Sequence, residues 1–197
     1  MNTQHNDGFT LIELMFAIAL FAILLALGAP ALVRWNQNHE VRALAESLQS
    51  GLMVARGEAV RRNAAVRFQL LTTTDGACAL SDTGRNWVVS LDDPAGNCNV
   101  AASDDVAPRI LKVGAAAEIA RNAAINAGGV SLITFNGLGQ ASTAAIIDIT
   151  NPLAACITSA TVGASDRVRC LRVTVSVGGQ VRMCDPAVTA ADDPRRC

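Results

Sequence analysis

The sequence predicts an α+β protein in which one long amino-terminal helix is followed by an antiparallel, β-sandwich-like head with disulfides. Three observations predict it. Between Glu13 and Arg34 lie twenty residues without a charge. From Val41 to Ala59, apolar residues recur every three or four positions. After Asn63 they recur every two, and all six cysteines lie in that last region. With 197 residues, the chain has room for one domain and an appendage.

The charge-free run corresponds to about 30 Å of helix, the hydrocarbon thickness of a bilayer. It does not read as a cleaved secretory signal: residues 1–8, MNTQHNDG, hold no Lys or Arg. The apolar core is long, and Arg34-Trp35 follows it in place of an A-x-A exit. As a plain anchor, the positive-inside rule would make Arg34 and Arg42 cytoplasmic and keep the bulk of the chain inside the cell. The cysteines oppose that orientation. They form an even set with no CxxC, which points to disulfides in an oxidising compartment. Glu13 decides between these. A carboxylate at the membrane edge costs up to roughly 3 kcal/mol unless it is partnered. If the chain were cut after Gly8, the new amine of Phe9 would lie one helical turn from Glu13, in its own chain or a neighbour.

Gly8–Leu14, G-F-T-L-I-E-L, strongly resembles the type III (prepilin) signal of type IV pilins and type II secretion pseudopilins. The resemblance implies that a prepilin peptidase cleaves between Gly8 and Phe9, that Phe9 is N-methylated, and that Glu13 registers subunits during filament assembly. It also accounts for Pro30. Proline inside a helix removes a hydrogen bond and kinks the axis, and in pilins a proline here bends the helix as the subunit leaves the membrane.

Beyond Pro30, Val41, Leu44, Ala45, Leu48, Leu52, Ala55 and Ala59 trace one helical face. Gly51 and Gly57 each cost about 1 kcal/mol relative to alanine, so packing of the stripe must supply the stability. A single helix from Phe9 to about Asn63 is expected. The chain then divides into a leader (1–8), a transmembrane and filament-core half-helix (9–33), an amphipathic half-helix (34–63) and a β-rich head (64–197).

In the head, Val66–Leu71, Trp87–Leu91, Val130–Phe135, Ala145–Ile149, Val168–Val177 and Val181–Cys184 read as strands between Gly, Asp, Asn and Pro turns. Residues 72–109, rich in aspartate, read as a hairpin with a long acidic loop. For the last hairpin, a three-residue loop Gly178-Gly179-Gln180 keeps the apolar faces together. It pairs Val177 with Val181 and Val175 with Met183, and sets Cys184 opposite Thr174. That register places Cys170 beyond disulfide reach of Cys184. Among fifteen possible pairings, sequence neighbours are expected: Cys78–Cys98, Cys156–Cys170 and Cys184–Cys197.

Ala45–Asn63 (A-E-S-L-Q-S-G-L-M-V-A-R-G-E-A-V-R-R-N), Ile133–Gln140 (I-T-F-N-G-L-G-Q) and Gly179–Pro186 (G-Q-V-R-M-C-D-P) resemble the GspH/FimT family of type IV pilin-like proteins. The resemblance implies a minor pilin that primes or caps a type IV pilus, or the minor pseudopilin H of a type II secretion system. The six cysteines and the carboxyl-terminal tail look more like the minor pilins. Its partners would be other pilins or pseudopilins, the prepilin peptidase and the bacterial inner membrane, crossed once with the head in the periplasm. Some FimT-type pilins bind DNA through a G-R-x-R motif. Gly179-Gln180-Val181-Arg182 occupies that place with Gln180 for the first arginine, which makes Arg172, Arg182, Arg195 and Arg196 candidate DNA contacts. The alternative is a solvated strand face neutralised by Asp185, Asp192 and Asp193.

Enzyme chemistry is not expected. Cleavage would leave His39 as the only histidine, and neither a nucleophile elbow nor HExxH exists. Asp92-Asp93 and Asp104-Asp105 lack apolar flanks that would raise a carboxyl pKa. No metal site or cofactor is foreseen. A formal charge of −1 gives no global attraction to nucleic acid, and 4% aromatics with no tyrosine offers few base-stacking platforms.

Overall fold

The computed structural model describes residues 10–163 and 167–197, so Gly8, Phe9 and the leader lie outside the described residues. It divides into two compact units, residues 1–36 and 37–197.

Helix α1 spans Leu11–Arg62 and includes Pro30. Its first part carries an 18-residue window of mean hydropathy 2.6 with none of it buried, long and apolar enough to cross a membrane. In the second unit the predicted stripe is fully buried: Val41, Leu44, Ala45, Leu48, Leu52, Ala55 and Ala59 all have 0% exposure. Gly51 has a local reason. A Cβ there would come within 2.8–2.9 Å of the Phe68 and Trp87 rings, so only glycine lets the helix approach them. Nothing surrounds Gly57, and the structure gives no account of it.

After α1 come β1 (Val66–Leu71), β2 (Asn86–Ser90), β3 (Ile110–Gly114), a short helix α2 (Ala116–Ile119), β4 (Ala124–Asn126), β5 (Leu132–Phe135), β6 (Ala145–Thr150), β7 (Leu171–Val175) and β8 (Val181–Cys184). They form two four-stranded sheets, β3-β2-β1-β5 and β4-β6-β7-β8, antiparallel throughout. The period of two sorts their side chains. Val66, Phe68, Leu70, Trp87, Val89, Ile133 and Phe135 of the first sheet join Ile147, Ile149, Val173 and Val175 of the second and the α1 stripe in one core. Trp87 Nε1 donates to Ser47 Oγ on α1 at 3.0 Å.

The first sheet is covered on its other face too. Leu71, Val88 and Ile110 form a second cluster with Cys78 and Cys98, which is why every residue of β2 is buried. The expected acidic loop is therefore two connections, 72–85 and 91–109, stapled by Cys78–Cys98 over that face. Two of its aspartates are held by arginines. Asp92 takes both ends of the Arg109 guanidinium at 2.6–2.7 Å, and Asp104 meets Arg62 of α1 at 2.7 Å.

Cys156–Cys170 and Cys184–Cys197 complete the disulfides, with Cα separations of 5.4 and 5.1 Å, so the structure pairs sequence neighbours throughout. The last hairpin corrects the expected register. Val175 pairs with Val181 and Val173 with Met183, and Cys184 faces Arg172 rather than Thr174. Ser176 N–H donates to the Gln180 carbonyl, and Gly179 N–H to that of Ser176. The loop is thus Val177-Gly178-Gly179, one residue earlier than expected. The third loop position of this turn needs a positive φ, and Gly179, at φ 79°, supplies it where Gln180 would be strained. The shift keeps the apolar faces matched. Two strands were not foreseen. β3 is an edge strand with Lys112 at its centre, and β4 has three residues, too few to display a period. Strand β7 is shorter than Val168–Val177, since Val168 instead bridges Cys156.

Candidate assembly and interaction surfaces

The amino-terminal site begins at Thr10, whose Oγ1 accepts from the Glu13 backbone N–H at 3.3 Å, so threonine caps the first turn of α1. The Glu13 side chain is exposed, and among the described residues its carboxylate has no partner. Around it Leu11, Ile12, Leu14, Met15 and Phe16 are all exposed. An uncovered apolar helix with one carboxylate in its first turn is incomplete alone, because both the apolar surface and the charge lack a counterpart.

The candidate DNA contacts collect at the carboxyl-terminal end of the second sheet. Arg172 is engaged: it holds its cross-strand partner Asp148 bidentately at 2.7 and 3.2 Å. Arg182 reaches across to the tail and donates to the carbonyls of Pro194 and Arg196 at 2.7 and 2.6 Å. Arg195 pairs with Asp193 at 2.7 Å, and that guanidinium holds the Asp193 carboxyl down to about 2. Arg196 forms a backbone bridge to Asp185. The fold therefore gathers Arg182, Arg195 and Arg196 around the tail, with Arg172 on the same polar face. Three of the four are already bonded within the head, Arg182 to backbone carbonyls and Arg172 and Arg195 to aspartates.

The two loop motifs are structural. Asn136–Gln140 repeats the turn of Ser176–Gln180: Asn136 N–H donates to the Gln140 carbonyl, Gly139 N–H to that of Asn136, and Gly139 has φ 76°. Asn136 Oδ1 also accepts from Leu138 and Gln140 N–H. The turns lie against each other, so that a Cβ on Gly179 would overlap the Gly139 carbonyl. Both adjoin Arg56 of α1, and a Cβ on Gly137 would strike Asn63. The three head motifs, far apart in sequence, thus meet at one end of the helix.

Sequence reasoning missed a polar lock on α1. Glu40, only 8% exposed, accepts from the backbone N–H and side-chain amide of Asn122 at 3.1 and 3.2 Å. Its place one turn before Leu44 on the buried stripe was the available signal. Also missed was a cation–carboxylate cluster at the helix end, where Arg61 and then Arg62 hold the Glu58 carboxyl below its ordinary range. Asp92 is lowered likewise by Arg109.

A family model described as type II transport protein GspH matches residues 44–179. A second, the prokaryotic N-terminal methylation motif, matches residues 3–29. Two crystal structures of the type IV minor pilin FimU from Pseudomonas aeruginosa (strain PAO1) resemble the fold, with TM-scores of 0.44 and 0.48 at 20% and 18% identity. The matches cover 72% and 76% of this chain and 90% and 91% of theirs. No curated protein sequence matches the chain.

Proposed function

Because this chain belongs to the GspH family of type II transport proteins, we propose that it is a minor, pilin-like structural subunit that primes or caps a type IV pilus. The prepilin peptidase cuts between Gly8 and Phe9, and Phe9 is methylated. Residues 9–33 hold the subunit in the bacterial inner membrane, with the head in the periplasm. Assembly then transfers the apolar helix from lipid to the helices of other pilins near the filament tip, and Pro30 bends it on the way.

The observation that carries this reading is the uncovered apolar helix with its single unpartnered carboxylate, Glu13. A methylated Phe9 amine on a neighbouring subunit would neutralise it, making correct stacking the low-energy arrangement. Mass spectrometry of the purified chain tests the premise. The expected amino terminus is Phe9 carrying one extra methyl; an intact Met1, or an end elsewhere, overturns the assembly mechanism.

The family's own description favours a second reading, the minor pseudopilin H of a type II secretion system. Crosslinking in cells separates the two, since the captured neighbours are pilus subunits in one case and secretion pseudopilins in the other. A contribution to DNA uptake through Arg172, Arg182, Arg195 and Arg196 is tested by a gel shift at low salt, where phosphate contacts are strongest. No retardation, or retardation unchanged by Arg182→Ala, removes it.

A further inference from the structure

Among the described residues, the second sheet ends on β8 with no strand beyond it. Ser176 N–H bonds the Gln180 carbonyl, and the ladder alternates from there, so Arg182 and Cys184 exchange hydrogen bonds with β7 through Thr174 and Arg172. The N–H and C=O groups of Val181 and Met183 consequently point out of the sheet, and no described residue bonds them. The tail takes up this edge only at Asp185, whose N–H donates to the Arg195 carbonyl at 2.7 Å.

Beside that edge lies a groove of about 610 Å³. Ile157, Leu171 and Met183 give it an apolar floor, Arg42, Arg169 and Arg195 line it, and Asp185 is the one acidic residue of that lining. Asp185 is already engaged by Arg169 at 3.2 Å and by Ala187 N–H at 2.9 Å. Arg42 and Arg195 are largely exposed, and their ion pairs with Glu46 and Asp193 are of the surface kind that exchanges readily for a better-placed anion.

We propose that the Val181–Met183 edge and this groove accept an extended acidic segment of a partner protein, which adds as a fifth strand to the second sheet. Its backbone satisfies the outward N–H and C=O groups. Alternate apolar side chains join Leu171 and Met183 on the groove floor, and its carboxylates meet Arg42 and Arg195. A lipid or a nucleic acid could supply the anion but not a matching row of backbone donors and acceptors. The proposal needs only the head and stands apart from the filament reading.

The test uses the full chain in detergent micelles and two synthetic peptides, one alternating valine with glutamate and one alternating valine with lysine. Amide exchange is followed by NMR. The acidic peptide is expected to slow exchange at Val181 and Met183 by about tenfold or more, and the basic peptide to leave it unchanged. Met183→Pro removes an outward donor while leaving the β7 ladder whole, a change that edge strands tolerate. It should abolish the effect with all three disulfides still formed. Arg42→Glu combined with Arg195→Glu should weaken binding by about tenfold. An acidic peptide N-methylated at alternate residues, which leaves the protein untouched, should not bind. Unchanged exchange at Val181 and Met183, equal slowing by both peptides, or binding by the N-methylated peptide overturns the proposal.

Discussion

The two halves of α1 share a backbone and differ in what covers them. From Leu11 to Val33 every side chain is exposed, apolar all round and charged only at Glu13. From Glu40 to Ala59 one face is sealed by the two sheets, while Arg42, Glu46 and Arg56 lie outside it. The second half finds its apolar partner within the chain; the first does not. Such a helix is half a folded protein and half an unsatisfied interface. The same kind of substitution should therefore be read out in different assays on either side of Asn36.

The largest contrast is expected from Leu48→Ala against Leu24→Ala. Truncating Leu48, which has no exposure, should cost the head about 2–5 kcal/mol, measured by denaturant unfolding with tryptophan fluorescence. Leu24→Ala should leave that curve in place. If Leu24→Ala destabilises the head as much, the division between the halves is wrong. Next comes Glu13→Leu, which should reduce filament incorporation on the order of 100-fold, equivalent to losing about 3 kcal/mol of pairing, with head unfolding unchanged. Normal incorporation would mean the carboxylate has no assembly role.

Removing Cys78–Cys98, which closes a separation of 20 residues, with a double serine substitution should destabilise the head by about 3 kcal/mol. The effect on membrane insertion should be nil, checked by fractionation. The smallest effect is expected at the tail. Asp193 is depressed to about 2 in the folded chain by Arg195, below an unfolded value of about 3.9. Its contribution is therefore present above pH 4 and lost as the pH falls toward 2. Protection of the Asp185 and Arg196 amides, taken against the intrinsic exchange rate at each pH, should fall across that window, and Asp193→Asn should remove that fall.

Much of this was legible in advance because it rests on local periodicity. The buried stripe of α1 and the strands Val66–Leu71 and Val181–Cys184 occur where the spacing put them. The disulfides followed from short separations. What escaped depends on contacts that spacing does not encode. Glu40 is read as polar until Asn122 is placed beside it. Strand β3 has an edge strand's composition, and the last hairpin slid by one residue because a single φ outweighed the pairing pattern. Of the candidate sites, the leader and Glu13 were visible as a motif. The groove beside β8 was not, since Asn38, Ile157 and Arg195 converge only after folding.

The stacked turns at Gly139 and Gly179 also bear on how this subunit can be labelled. Two hairpin tips normally make safe insertion points for a fluorophore or an epitope. Here each tip is the other's wall, so an extra residue in either would pry apart the sheets where they meet the end of the long helix.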